Sequence, residues 1–120
     1  MTAEANLHVA RSWLRAFNAH DVTALVALYD EAAIHTSPKI RAKHPDTGGC
    51  IAGKAALAAW WRDAIERSPT LRYEPTSLTA DEDRVWLEYI RHVAGEGPLP
   101  VAEVFEVRQG RIAASRVYHG

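Results

Sequence analysis

The stretch VAEVFEVRQGRIAASRVYH, residues 101–119, decides the fold class. Residues 101–108 have the period of two that is typical of a strand, and this alternation places Val101, Phe105 and Val107 on one face. Gln109-Gly110 interrupts the alternation, and a second run extends from residue 111 to 119. Two alternating runs joined by a two-residue turn sequence predict an antiparallel β-hairpin.

Two further strands are predicted upstream of this hairpin. Residues 71–79 and 84–93 favour strands, and the acidic turn Asp81-Glu82-Asp83 separates them. Pro75 lies inside the first strand, and because proline cannot donate a ladder hydrogen bond, this strand is expected at a sheet edge. A turn rich in glycine and proline, residues 95–100, leads into the hairpin.

The N-terminal half has a helical period instead. Apolar residues recur at helical spacing over residues 4–18, a second short helix is expected after the capping residue Asp21, and a third follows Gly53. A short strand at residues 33–36 lies between the second and third helices. Helices followed by a run of antiparallel strands predict an α+β fold, a single domain over residues 1–120.

Residues 38–52 show no periodicity and contain two prolines and two glycines. We therefore predict a structureless loop, which in a small domain often acts as a lid. The loop carries the basic side chains Lys39, Arg41, Lys43 and His44. Two interpretations stay open for them, a site that attracts an anionic substrate and an ordinary solvated basic loop.

Composition narrows the classes of partner. The 120 residues carry 14 Lys and Arg against 15 Asp and Glu, a net charge of −1 spread along the chain, which argues against nucleic-acid binding. The chain has no apolar run long enough for a membrane span and no signal-peptide pattern. Its one cysteine, Cys50, suits a reducing compartment, and we expect a cytoplasmic protein. Neither metal-ligand spacing nor a nucleotide-binding loop is present, so no metal and no cofactor are expected.

Alternation places Glu103 on the same sheet face as the aromatic core. The two-residue turn sets the expected register, in which Glu103 lies opposite Arg116, while Arg91 faces it from the preceding strand. A carboxylate between two guanidinium groups is therefore predicted on this face, although a β-bulge would shift the pairing. The same parity directs His119 away from this face.

The opposite sheet face is expected to be apolar as well. It carries Trp86, Ile90, Val104 and Val117. An antiparallel sheet with one solvated face normally shows polar residues there, so we predict a homodimer through this face. The alternative is a set of scattered exposed apolar residues, which many surfaces have.

Several segments, in this order, resemble one known superfamily. They are WLRAFNAHD at 13–21, ALVALY at 24–29, GKAAL at 53–57, EVFEV at 103–107 and GRI at 110–112. Nearly the whole chain is similar to the SnoaL-like and ketosteroid-isomerase-like branches of the nuclear transport factor 2-like superfamily. The resemblance implies a cone-shaped curved sheet, mixed or antiparallel, closed on one face by three N-terminal helices around a pocket.

The resemblance also carries implications for single residues. Ketosteroid isomerases place a catalytic aspartate just before the proline of the short strand, where this chain has Ser37, which cannot act as a carboxylate base. Their oxyanion-binding acid matches Glu103. Their tyrosine network is matched by Trp13, Tyr29 and Trp61, of which only Tyr29 keeps a hydroxyl. Steroid isomerisation is therefore not expected, and the polyketide cyclases, dehydratases and epoxide hydrolases of related branches supply other chemistries for the same pocket.

Two functional hypotheses follow. The first is a pocket that binds a small apolar metabolite and performs cofactor-free acid–base chemistry around Glu103, of the isomerase, cyclase, dehydratase or hydrolase type. The second is a non-catalytic binding or dimeric assembly module, with Glu103 in a structural ion pair. The candidate catalytic residues are Glu103, Arg91 and His35. The candidate ligand-binding residues are Trp13, Tyr29, Trp61, Tyr89, Phe105, Arg116 and Tyr118.

Overall fold

The computed structural model describes residues 2–120. The helices are α1 (Ala3–Asn18), α2 (Val22–Val26), α3 (Pro38–Lys43) and α4 (Lys54–Arg67), with a short 3-10 turn at Pro45–Thr47. The strands are β1 (Tyr29–Thr36), β2 (Cys50–Ala52), β3 (Arg72–Ala80), β4 (Arg84–His92), β5 (Leu99–Arg108) and β6 (Arg111–His119). The predicted α+β class is confirmed.

All six strands form one curved sheet in the order β2-β1-β6-β5-β4-β3. The β1–β6 pair is parallel and the other pairs are antiparallel, so the sheet is mixed. β3 lies at the sheet edge, as Pro75 predicted. Helix α1 packs over β3 and β4, and α4 packs over β1 and β2, so the helices close one face of the sheet.

The β5–β6 hairpin contains the feature that corrects the predicted register. Its turn residues Gln109 and Gly110 have φ angles of 52° and 77°, the left-handed values that a two-residue turn of this kind needs. Beyond the turn, Val107 lies opposite Ile112, but Glu106 lies opposite Ala114. One extra residue on β6 therefore forms a β-bulge, and the parity of the rest of that strand is reversed.

This reversal makes four predicted placements wrong. Arg116 and Tyr118 lie on the outer face of the sheet, away from Glu103. Val117, predicted on the outer dimer face, lies opposite Glu103 and lines the cavity between sheet and helices. His119 lines the same cavity although it was predicted to point away.

Residues 38–52 are not a structureless loop, so that prediction was wrong. Pro38 begins α3, and the Ser37 hydroxyl caps the helix by accepting a hydrogen bond from the Lys39 backbone N–H at 3.2 Å. Ile40 is fully buried and anchors α3. The sheet face is therefore closed by a fourth short helix in addition to the three predicted ones, while the lid role stays a prediction.

Within residues 2–120, no helix is both long enough and apolar enough to span a bilayer.

Candidate functional site

A cavity of about 410 Å³ lies between the helices and the inner face of the sheet. Its aromatic lining consists of Trp13, Phe17, Trp60, Trp61, Tyr73 and Tyr89. Its polar and charged lining includes His35, Ser37, Lys39, Arg91, Glu103 and His119. The volume suits a small molecule with an apolar body and a few polar groups.

The structure brings most of the predicted site residues together at this cavity. Glu103, Arg91, His35, Trp13, Trp61 and Tyr89 line it. Tyr29 and Phe105 are fully buried in the core behind the cavity wall. Arg116 and Tyr118 lie on the opposite face of the sheet, because the β-bulge reverses the parity of β6.

Glu103 is buried, and among residues 2–120 it has no cationic partner. Its side chain is 1% exposed, and its Oε1 accepts a hydrogen bond from the Tyr89 hydroxyl at 2.8 Å. Within residues 2–120 its other oxygen, Oε2, has no hydrogen-bond partner. The predicted ion pairs are absent from this described part, because Arg91 pairs with Glu96 at 2.8 Å and Arg116 pairs with Glu106.

The environment of Glu103 decides its charge. Burial disfavours the ionised carboxylate and raises the pKa of Glu103 to about 8, although the Tyr89 hydrogen bond acts in the opposite direction. Glu103 is therefore mainly a neutral carboxylic acid at pH 7. Because Oε1 accepts from Tyr89, we place the proton on Oε2, which makes that oxygen a hydrogen-bond donor.

Aromatic rings form the wall beside Glu103. The Tyr73 ring stacks on Tyr89 with centroids 4.1 Å apart, and on Phe17 at the same spacing. Trp13 packs against Tyr89 at 6.1 Å. Burial raises the pKa values of Tyr73 and Tyr89 well above their usual range, so both are uncharged phenols. Glu103 is thus flanked by uncharged aromatic side chains.

His35 ends a chain of buried hydrogen bonds. The Trp13 indole N–H donates to the Tyr29 hydroxyl at 3.1 Å, which lies 3.4 Å from the Ser115 hydroxyl. Ser115 Oγ lies 2.6 Å from His35 Nδ1. Burial lowers the pKa of His35 to about 4, so the imidazole is neutral at pH 7.

This series of hydrogen bonds determines the tautomer of the neutral His35 imidazole. The indole N–H is only a donor, so Tyr29 accepts from Trp13 and donates its own proton to Ser115. Ser115 then donates to His35 Nδ1, and the imidazole proton lies on Nε2. We assign this tautomer because it gives both buried hydroxyls of the series, those of Tyr29 and Ser115, a hydrogen-bond acceptor. His35, which lines the cavity, therefore carries an N–H donor at Nε2.

Sequence reasoning missed Ser115 and the cavity positions of Val117 and His119. All three follow the β-bulge on β6, and Ser115 is 1% exposed. The sequence gives only a weak signal for the position of the β-bulge, because Ala113 and Ala114 fit either face of a sheet equally well.

The outer face of the sheet carries exposed aromatic side chains. Trp86 is 43% exposed and Tyr118 is 50% exposed, and their rings stack at 6.4 Å. They border a groove of about 610 Å³ together with Val104 and Arg116. Among the described residues, no group of three or more His, Cys, Asp or Glu side chains is arranged to hold a metal ion.

Comparison with known proteins identifies the fold and the family. The sequence profile of the SnoaL-like domain matches residues 10–115. No curated protein matches the chain in sequence. A SnoaL-like protein of unknown function from Burkholderia thailandensis has 27% sequence identity and a TM-score of 0.85, and the match covers 97% of this chain and 93% of that one.

Two more distant structures show the same fold. A provisionally assigned ketosteroid isomerase from Kribbella flavida has 19% identity and a TM-score of 0.84, covering 100% of this chain and 82% of that chain. A provisionally assigned polyketide cyclase from Sinorhizobium meliloti has 20% identity and a TM-score of 0.78, covering 92% and 94%. With its α+β cone, its cavity and the profile match over most of its length, the chain belongs to the SnoaL-like domain family of the nuclear transport factor 2-like superfamily.

Proposed function

We propose that the chain binds a small, largely apolar molecule in the cavity and promotes cofactor-free acid–base chemistry with Glu103 as the acid. The observation that carries this proposal is the buried Glu103 carboxyl, with no cationic partner and with Oε2 unpaired among the described residues. Such a group is costly to bury, and the cost is offset when a ligand oxygen accepts its proton or its hydrogen bond.

The reaction class follows from the two donors. The Glu103 O–H and the His35 Nε2–H both stabilise negative charge that develops on a carbonyl oxygen of the ligand. Ser37, at the family's base position, cannot remove a proton as a carboxylate does. A water molecule therefore accepts the proton of a C–H group next to that carbonyl, while Glu103 gives its proton to the oxygen; the products are the enol, a hydronium ion and the Glu103 carboxylate, which regains a proton from solvent. Isomerisation, cyclisation and dehydration can each proceed through such an enol.

The contacts of the ligand are part of the proposal. Its apolar body lies against Trp13, Trp61 and Tyr89, which line the cavity. Tyr29 and Phe105 support this wall from the core. Arg91 also lines the cavity. Its guanidinium pairs with Glu96, so it leaves Glu103 unpaired.

Binding of 2-acetylnaphthalene, an apolar ring system with one carbonyl oxygen, tests the proposal. We expect wild-type protein to bind it below pH 8 and to lose affinity as Glu103 ionises above that value. Catalysis is followed by NMR, as deuterium from D2O replaces the hydrogens of the acetyl methyl group. We expect Glu103→Gln to lose both the pH dependence of binding and any acceleration of this exchange.

Glu106→Gln is the matched control, since Glu106 lies on the same strand but its carboxylate faces outward and pairs with Arg116. It should bind and exchange as wild type does. Binding without accelerated exchange in the wild type would support the non-catalytic alternative. Equal affinity in wild type and Glu103→Gln at every pH would contradict the proposal.

The second candidate function is assembly through the outer face of the sheet. It is favoured by the groove beside Trp86 and Tyr118, which are large and about half exposed. We propose that this face forms a homodimer, with Trp86, Ile90 and Val104 in the interface. Val117 no longer belongs to this surface.

We also propose a cytoplasmic location. Cys50 is the one cysteine of the chain and is a free thiol, which suits a reducing compartment.

A further inference from the structure

The mouth of the cavity has an excess of positive charge. Lys43 and Arg67 line it and share one carboxylate, because Asp63 binds Lys43 at 2.7 Å and Arg67 at 2.8 Å. The side chains of Lys43, Asp63 and Arg67 are each about half exposed. One positive charge therefore remains uncompensated on this side of the mouth.

Two further cations, Arg91 and Lys39, line the same cavity. The Arg91 side chain is only 13% exposed, and Nη1 donates to Glu96 at 2.8 Å, while Glu96 itself is half exposed. A guanidinium has five N–H donors, so Arg91 has donors to spare. Lys39 forms no ion pair within the described chain.

Lys39 and Arg91 lie close enough to affect each other. Partial burial and the charges of Arg91 and Arg67 lower the pKa of Lys39, while Glu96 acts in the opposite direction. Burial, and after it the charges of Lys39 and Arg91, lowers the pKa of His119. Glu96 interacts with both cations and offsets one of their two charges, and a further anion beside them would offset the other. The aromatic lining below them cannot supply that anion.

We propose that the ligand of this cavity carries a carboxylate that binds Arg91 and Lys39 at the mouth, while its apolar body lies between the aromatic rings. The proposal rests on the proposed function, since it concerns the same cavity. It assigns the substrate class as an aromatic or alicyclic carboxylic acid with a carbonyl oxygen at its far end.

The register supports a ligand with two separated polar ends. Glu103 lies opposite Leu87, and Arg91 lies four residues further along β4 on the same face. At about 3.3 Å per residue, the two positions are roughly 13 Å apart along the strand. A molecule with one or two fused rings, an acceptor at one end and a carboxylate at the other fits this separation.

The test compares 6-acetyl-2-naphthoate with its methyl ester by calorimetry at pH 7. The two probes share the ring system and the ketone and differ in the charge at one end. We expect wild-type protein to bind the acid about tenfold more tightly, since charge-assisted hydrogen bonds to Arg91 and Lys39 form with the carboxylate alone. Added salt should reduce this preference.

Lys39→Met and Arg91→Met should each reduce the ratio of acid affinity to ester affinity. Lys39 is exposed, so its substitution is not expected to affect folding. Lys54→Met is the control, because Lys54 lies at the start of α4 beside Glu31 and does not line the cavity. It should retain the tenfold preference.

Equal affinity of the wild type for acid and ester would overturn this inference and leave the proposed function standing. Tighter binding of the ester, or an acid preference that survives both substitutions, would overturn it as well. Failure of both probes to bind would contradict the proposed function itself, and this inference with it.

Discussion

As the pH rises, the Glu103→Gln variant should gain stability relative to the wild-type protein. In the folded chain the pKa of Glu103 is raised from 4.5 to about 8 by burial. Between these two values the folded state holds a proton that the unfolded state releases. The stability associated with this proton is fully present below pH 4.5 and is lost as the pH rises through 8. Gln keeps the size of the acid and does not titrate.

The magnitude follows from the width of this pH interval. Each pH unit inside it changes the free energy of unfolding by about 1.36 kcal/mol. The interval is about 3.5 units wide, which limits the whole effect to roughly 5 kcal/mol. Between pH 5 and pH 8 the expected change, wild type relative to Glu103→Gln, is on the order of 3 kcal/mol.

Urea unfolding at pH 5 and pH 8, at matched protein concentration, measures this change. Glu106→Gln serves as the control. Since Arg116 lowers the pKa of Glu106, its contribution is present above its unfolded pKa and is lost only as the pH falls through the folded value. Its curve should run parallel to wild type between pH 5 and pH 8. If Glu103→Gln also runs parallel to wild type, Glu103 is ionised in the folded protein and our reasoning is wrong.

Three more substitutions test other parts of the structure. Tyr89→Phe removes the hydroxyl that donates to Glu103 Oε1, so the pKa of Glu103 should rise further and urea unfolding should show a loss of roughly 1–3 kcal/mol; an unchanged stability would contradict the buried contact. Gly110→Ala places a Cβ at a φ of 77°, and thermal unfolding should show a loss on the order of 1 kcal/mol, whereas no loss would argue against the two-residue turn. Trp86→Asp should convert a dimer to a monomer in light scattering, and a mass equal to that of wild type would exclude Trp86 from the interface.

The fold was largely predictable because its signals are local. Gln109-Gly110 marks the hairpin, and Pro75 marks the sheet edge. The short helix α3 also has local signals, the Ser37 cap and Pro38 in the first turn. The prediction of a loop rested instead on the absence of a helical period. Ile40 is the one buried residue of that helix, so no apolar repeat marks it in the sequence.

The site was less predictable because its charges depend on tertiary contacts. Alternation along β5 correctly places Glu103 on the inner face of the sheet, but the β4 residue opposite it is Leu87 and not the predicted Arg91. Arg91 binds Glu96 in the following turn, and the β-bulge carries Arg116 to the outer face. These two features leave Glu103 without the expected guanidinium partners, and burial then makes it a neutral acid.

The side-chain carboxyl carbon of Glu103, followed by 13C NMR from pH 4 to pH 10, tests the central claim most directly. Protein labelled with 13C-glutamate provides the signal, and the spectrum of Glu103→Gln assigns it by its absence. We predict that this carboxyl titrates near pH 8, because burial disfavours its ionised form. Titration between pH 4 and pH 5 would contradict the claim that the cavity contains a neutral carboxylic acid at pH 7.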